Sequence, residues 1–253
     1  MNASRSVVYF AFLGDETTNA DVVRARLDYM DAQLRWLAQL SAVSGTPVDG
    51  LVPYVAPRAW DEDVRRIVSA HGFQVDPASV AAERLNRFEY PGFRAMKALA
   101  VASPPDRLIY YCHSKGIIQL AASKMGLFRL HSHVGLTADL SELSADPTLT
   151  RAGLFPSKWG WCWYNFFWIK AGHMARLPVE PCEDRYQFEA LIGDQADREG
   201  YRGVLPLIGR LPFAETGIAP QPWYRAAETS SPTLEATHYR YARMAEPPAP
   251  AGG

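Results

Sequence analysis

The chain has 253 residues, enough to bury a full core in one domain, and its 26 basic and 27 acidic side chains leave a formal charge of -1. That balance excludes an overall field able to gather nucleic acid or an anionic membrane surface, so any anion must be held locally. The three cysteines, Cys112, Cys162 and Cys182, are odd in number and widely spaced, which argues against a disulfide framework or a zinc knuckle and predicts a reducing cytoplasm.

Val7 to Leu13 is a short, continuous, β-rich run closed by Gly14-Asp15, and it reads as a first buried strand. It is too short for a signal-peptide core and falls far below the roughly 20 residues that a membrane helix needs; no other segment reads as a membrane span. Val23, Leu27, Met30, Leu34 and Leu37 then recur at steps of four and three, the apolar face of a long helix ending near Gly45. Leu51 to Val55 is a second strand, and Asp61 caps a helix carrying Val64, Ile67 and Val68 up to Gly72. Phe93, Met96 and Leu99 or Ala100 form a further helical stripe, broken by Pro104-Pro105 just before the run Leu108 to Cys112. Strands alternating with helices predict an α/β fold, a mostly parallel sheet covered on both faces.

From Gly116 to Pro156 the apolar spacing weakens, which fits a helix or two joined irregularly. "WGWCWYNFFWIK" (159–170) would put residues 161, 163, 165 and 167 on one face of a strand, and Asp184 to Ile192 reads as a helix closed by Gly193. One domain is expected over residues 1–229, followed by a Pro/Ala/Gly-rich tail over 230–253 that should lack order.

The strand of residues 107–112 ends in His113, Ser114, Lys115 and Gly116. Ligands of open α/β sheets bind beyond the carboxyl ends of the strands. Gly116 permits close backbone approach, Lys115 supplies a point charge, and Ser114 and His113 supply hydrogen-bonding groups, a set suited to a phosphate or diphosphate. The competing reading is a strand end merely capped by His113 and Ser114, with Lys115 in solvent. The phosphodiesterase pattern HxKxxxxD fails, because its aspartate position is Leu120 and there is no second HxK.

Three segments taken together, "NRFEYPGFRAMKALA" (86–100), "IYYCHSKGI" (109–117) and "WCWYNFFWIKAGHMARLP" followed by "RYQFEALIG" (185–193), resemble a family of glycosyltransferases. That family has a tyrosine-rich strand ending in H-[ST]-K-G, an N-F-[WF]-W segment and an R-x-x-x-E helix. The resemblance covers roughly residues 86–193 and implies the GT-A fold, a Rossmann-like sheet that binds a nucleoside-diphosphate sugar. Such folds usually carry a DxD motif at this strand end for a divalent metal, where this chain has His113-Ser114-Lys115. An ammonium attracts a diphosphate directly, so the expectation is a metal-independent site; the alternative is Mn²⁺ or Mg²⁺ held by His113 with ligands brought from elsewhere by folding. The HxH of His131 and His133 would share one face of a strand, but such pairs are more often surface residues, and no metal is assigned.

Asn165, a lone amide among aromatics, and Trp163 are candidates for binding the sugar. Asp15 has the position at which this fold meets the nucleotide base, although an Asp after Gly is first of all a turn residue. By resemblance Asn86, Tyr90 and Gly92 line the same pocket. Glu189 or Asp184 would be the general base, with Arg185, four residues before Glu189, orienting it or contacting phosphate. The implied partners are a nucleoside-diphosphate sugar and a hydroxyl acceptor. Competing functions are a non-catalytic nucleotide-sugar or carbohydrate-binding module, and a nucleotidyltransferase, which would want a basic glycine-rich loop where this chain has the acidic "FLGDETTNAD".

Overall fold

The run Arg5–Phe12 forms β1, and it is apolar on both sides because both sides are covered: Val7, Tyr9 and Ala11 enter one core, Val8 and Phe10 the other. This computed structural model describes residues 4–43, 49–81, 87–114, 117, 118, 120, 122–154, 162–182, 184, 187–194 and 204–207. The other strands are β2 (Asp49–Val52), β3 (Tyr54–Val55), β4 (Gln74–Val75), β5 (Leu108–His113), β6 (Arg151–Gly153), β7 (Phe167–Lys170) and β8 (Val204–Pro206). They make an eight-stranded sheet in the order β4-β2-β1-β5-β7-β6-β8, with β3 also beside β1. The sheet is mixed and mostly parallel: β1 runs with β2, β3 and β5, whereas β7 is antiparallel to both β5 and β6.

The helices are α1 (Ala20–Val43), α2 (Asp61–Ala70), α3 (Pro77–Ala81), α4 (Tyr90–Val101), α5 (Ala122–Thr137), α6 (Ser141–Ala145), α7 (Ala171–Met174) and α8 (Gln187–Asp194). One face of the sheet is covered by α1, α2 and α5, through Leu27, Met30, Leu34, Val64, Val68, Phe128 and Val134, which meet Tyr9, Tyr110 and Trp168. The opposite face is covered by α4, α7 and α8, through Phe93, Met96, Met174, Phe188 and Ile192, which meet Phe10, Ile109, Tyr111 and Phe167. Buried polar tips of the sheet are matched to the helices: Tyr9 donates to Gln33 Oε1 at 2.7 Å, Tyr110 to His131 O at 2.9 Å and the Trp168 indole to Gly135 O at 2.7 Å. The expected α/β architecture is present. No helix among the described residues is long and apolar enough to cross a membrane.

Several local expectations are corrected. The second strand is split at Pro53, which has no N–H to give a ladder but whose carbonyl accepts from Ala11 N at 3.0 Å. Asp61 is the first residue of α2 and Trp60 its cap. Among the described residues of the aromatic segment the strand is Phe167–Lys170; Trp163–Asn165 form a 3-10 turn in which Tyr164 (φ 64°) and Asn165 (φ 53°) are left-handed, so residues 163, 165 and 167 share no strand face, and Trp161 lies outside the described residues. His131 and His133 lie on α5, where two-residue spacing turns side chains to nearly opposite sides. The helix expected over Asp184 to Ile192 is α8, which begins at Gln187 and runs through Gly193 to Asp194. The tail over 230–253 lies outside the described residues.

Candidate functional site

From β1 the chain builds outward through β2 to β4, then returns to place β5 on the other side of β1. The carboxyl ends of β1 and β5 therefore flank the point at which strand order reverses, the place where open α/β sheets hold ligands. Because β7 runs backwards, its first residue, Phe167, pairs with Tyr111 near the same end. The turn Trp163–Asn165 is delivered there with it. So is the first turn of α4, since Gly92 abuts Phe10 and Tyr111: a Cβ at Gly92 would fall 2.6 Å from the Tyr111 hydroxyl oxygen and 2.8 Å from Phe10 Cβ.

Ser114 is buried and stitches the two strand ends together, its N–H donating to Phe10 O at 2.8 Å while its Oγ accepts from Phe12 N at 3.2 Å. His113 Nε2 lies 2.9 Å from Tyr164 O. A carbonyl only accepts, so this nitrogen carries a hydrogen and Nδ1 is the basic nitrogen of the neutral ring.

Glu89 immediately precedes α4, and its carbonyl accepts from Phe93 N at 3.0 Å in the first turn. Its carboxylate is the hub of the site. Oε2 accepts from Asn165 Nδ2 at 3.1 Å, and Oε1 stands 3.9 Å from His113 Nε2. The buried Tyr111 phenol is alongside; burial first, then the charge of Glu89, push its ionisation well above the usual tyrosine value. Asn165 is 1% exposed, and its Oδ1 is buried with no hydrogen-bond partner among the described residues. An amide oxygen left so is costly, on the order of 1–3 kcal/mol.

Backbone strain collects at the same place. Four non-glycine residues among those described have positive φ, and three of them adjoin this cluster: Phe88 (49°), Tyr164 (64°) and Asn165 (53°). Phe88 sets Glu89, Tyr164 supplies the carbonyl that meets His113, and Asn165 supplies the amide that meets Glu89. Left-handed non-glycine residues cost on the order of 1–3 kcal/mol each and persist only where their surroundings enforce them.

The remaining candidates fall as follows. Asp15 closes a turn after β1: its Oδ1 accepts from Thr17 N at 3.0 Å, Thr17 Oγ1 at 2.7 Å and Thr18 Oγ1 at 3.1 Å. The Thr17 bonds, with that from Thr18, hold its carboxyl below the usual range. Tyr90 is half-buried with its ring 6.4 Å from that of Phe188, which also meets Phe93 at 4.9 Å and so fastens α8 to the start of α4. Asp184 is exposed, and its carbonyl accepts from Gln187 N at 3.3 Å. Glu189 lies in α8 and Trp163 in the 3-10 turn, both described in backbone only. Asn86, Lys115, Gly116 and Arg185 lie outside the described residues. His131 is buried with its ring 5.1 Å from Phe166 and 5.5 Å from Tyr164, whereas His133 is exposed, 6.5 Å from Trp36.

No three His, Cys, Asp or Glu side chains among the described residues could together hold a metal ion. His113 spends Nε2 on a carbonyl, and Glu89 is engaged by an amide. Sequence reasoning missed Glu89, although a signal was present: Pro91 marks a helix start, which makes the preceding acid a group at a helix N-terminus. What the arrangement offers is an imidazole with a fixed tautomer, a carboxylate beside it and an unmatched amide oxygen. No family model matches this chain, and neither a curated protein nor a solved structure matches it.

Proposed function

We propose that the protein is a GT-A-like glycosyltransferase of the reducing cytoplasm, moving a sugar from a nucleoside-diphosphate donor to a hydroxyl acceptor. The observation that carries this reading is the convergence at the switch point: the strand end His113-Ser114, the turn holding Asn165 and the start of α4 meet beside the end of β1. A ligand there has both strand ends and the first turn of α4 around it. The free state of Cys112, Cys162 and Cys182 supports the compartment.

In this reading His113, Ser114, Lys115 and Gly116 hold the donor diphosphate. Ser114 Oγ already accepts from Phe12 N, so its O–H is the group that donates to a phosphate oxygen. Trp163 and Asn165 contact the sugar, and a hydroxyl of that sugar satisfies Asn165 Oδ1. The acceptor oxygen bonds to the anomeric carbon, the bond from that carbon to the diphosphate oxygen breaks with its electron pair leaving on the diphosphate, and a base takes the acceptor proton. No step is routed through a metal.

The test is binding and hydrolysis of UDP-, GDP- and dTDP-sugars, with and without Mn²⁺. At least one donor should raise the melting temperature and turn over without Mn²⁺, and Lys115→Ala should weaken its binding about 10- to 100-fold, the worth of a charged hydrogen bond. Failure of every donor to bind overturns the reading, and so does unchanged affinity in Lys115→Ala.

A further inference from the structure

We infer that Glu89 and His113 form an acid–base dyad in which His113 Nδ1 takes the acceptor proton, the Tyr164 carbonyl orients the imidazole and Glu89 is the positioning residue that charge-balances it. The inference rests on the transfer reading, replaces Glu189 or Asp184, the bases implied by resemblance, and takes His113 out of the diphosphate contacts, which fall to Ser114, Lys115 and Gly116. Geometry argues it in three steps.

First, the tautomer is set. His113 Nε2 faces the Tyr164 carbonyl at 2.9 Å and must carry the hydrogen, so the lone pair of the neutral ring is on Nδ1. Second, a carboxylate stands where an imidazolium needs one, 3.9 Å from the same Nε2. Asn165 Nδ2 pins that carboxylate, and its place at the start of α4 favours its anionic form. A carboxylate so held makes a weak base but a firm partner, which divides the roles between the two side chains. Third, the pair is partly accessible: the His113 and Glu89 side chains are 18% and 20% exposed, enough to meet a ligand. The three left-handed residues Phe88, Tyr164 and Asn165 each hold one component, as preorganisation of a proton-transfer site requires.

Titratable groups near the dyad include the following. From β5 comes the Tyr111 phenol, neutral because burial and Glu89 raise its ionisation. From α5 comes His131, which stacks on Phe166, the same ring that meets His113 at 5.5 Å. Cys162, just before the turn, is a buried thiol pushed up to about 12 by desolvation. Glu89 brings a carboxylate to 3.9 Å from Nε2.

When the transfer occurs, the acceptor O–H bond breaks, its electron pair forms the new glycosidic bond, and the proton goes to His113 Nδ1; the diphosphate leaves with the electrons of the old bond. The rate must therefore rise with pH as His113 loses its proton. Glu89→Gln keeps an acceptor for Asn165 but removes the charge that stabilises the imidazolium, so the acid limb of kcat moves to lower pH, with kcat reduced and KM nearly unchanged. His113→Gln loses about 100-fold or more in kcat.

The decisive experiment is a ¹⁵N NMR titration of the full chain, assigned with His113→Gln, beside these kinetics. The dyad is supported by an Nε2–H tautomer for neutral His113 and a titration midpoint that falls in Glu89→Gln. It is overturned by an Nδ1–H tautomer, by a midpoint indifferent to Glu89→Gln, or by full activity in His113→Gln together with loss in Glu189→Gln. The NMR arm needs no substrate, so a chain that binds no nucleotide sugar refutes the transfer reading, whereas an uncoupled His113 refutes the dyad alone.

Discussion

Arg107, at the amino end of β5, donates through Nε to Ser6 Oγ at 2.8 Å and through Nη2 to Asp49 Oδ2 at 2.7 Å, while its carbonyl and that of Pro105 accept from Ala171 N and Gly172 N at 2.8 and 2.9 Å. At the other end of the same strand, His113 meets a left-handed residue's carbonyl, Glu89 leans on Asn165, and Asn165 Oδ1 meets nothing described. One end of the sheet is closed with ordinary backbone; the other is strained and one acceptor short. Because folding alone would favour the first condition everywhere, the second points to a ligand.

Three changes can break or sharpen that contrast. The largest effect is expected at the carboxyl end, from Gly92→Ala. Alanine gains about 0.8–1.0 kcal/mol of helix propensity but forces a methyl group against Tyr111 and Phe10, where overpacking costs roughly 1–3 kcal/mol. A net loss of up to about 2 kcal/mol in urea unfolding is expected, and a stabilising result would show that this end can yield.

A smaller effect is expected at the amino end, from Asp49→Asn. The Asp49 side chain is 86% exposed, so its ion pair with Arg107 should contribute no more than about 1 kcal/mol and fade in salt. A loss above 2 kcal/mol by the same measurement would remove the distinction between the ends.

The smallest concerns the loop after β1. Hydrogen bonds from Thr17 and Thr18 depress the Asp15 carboxyl in the folded chain. Its contribution is therefore present above the ordinary aspartate value of about 3.9 and is lost as pH falls through the depressed folded value. Amide exchange at Thr17 and Thr18 should quicken over that acid range in the parent and already be fast in Asp15→Asn; a pH-independent rate in the parent would place the stability of the turn elsewhere.

The frame of the fold was legible wherever burial wrote itself as period. The continuous run of β1, the four-and-three steps of α1 and the stripe of α4 all appear as read, because each depends on which residues avoid water. The segment before β7 was not legible. Aromatic alternation there mimics a strand, and nothing in Tyr164-Asn165 announces positive φ beyond the modest tolerance of asparagine. α5 was obscured by Gly126 and Gly135, the latter lying against the Tyr110 ring with no space for a side chain. Of the site, His113 and Asn165 were picked out by their chemistry. Glu89, 76 positions before Asn165, becomes visible only once the chain has folded.

The reversed direction of β7 has an evolutionary corollary. Since β6 is also antiparallel to β7, Gly153 and Phe167, which bound the stretch joining them, both lie toward the end of the sheet where His113 lies. In the proposed reading, insertions or deletions in that stretch would change which ligand is taken without moving a rung of the ladder, so variation in ligand choice among descendants of this chain should gather in its length.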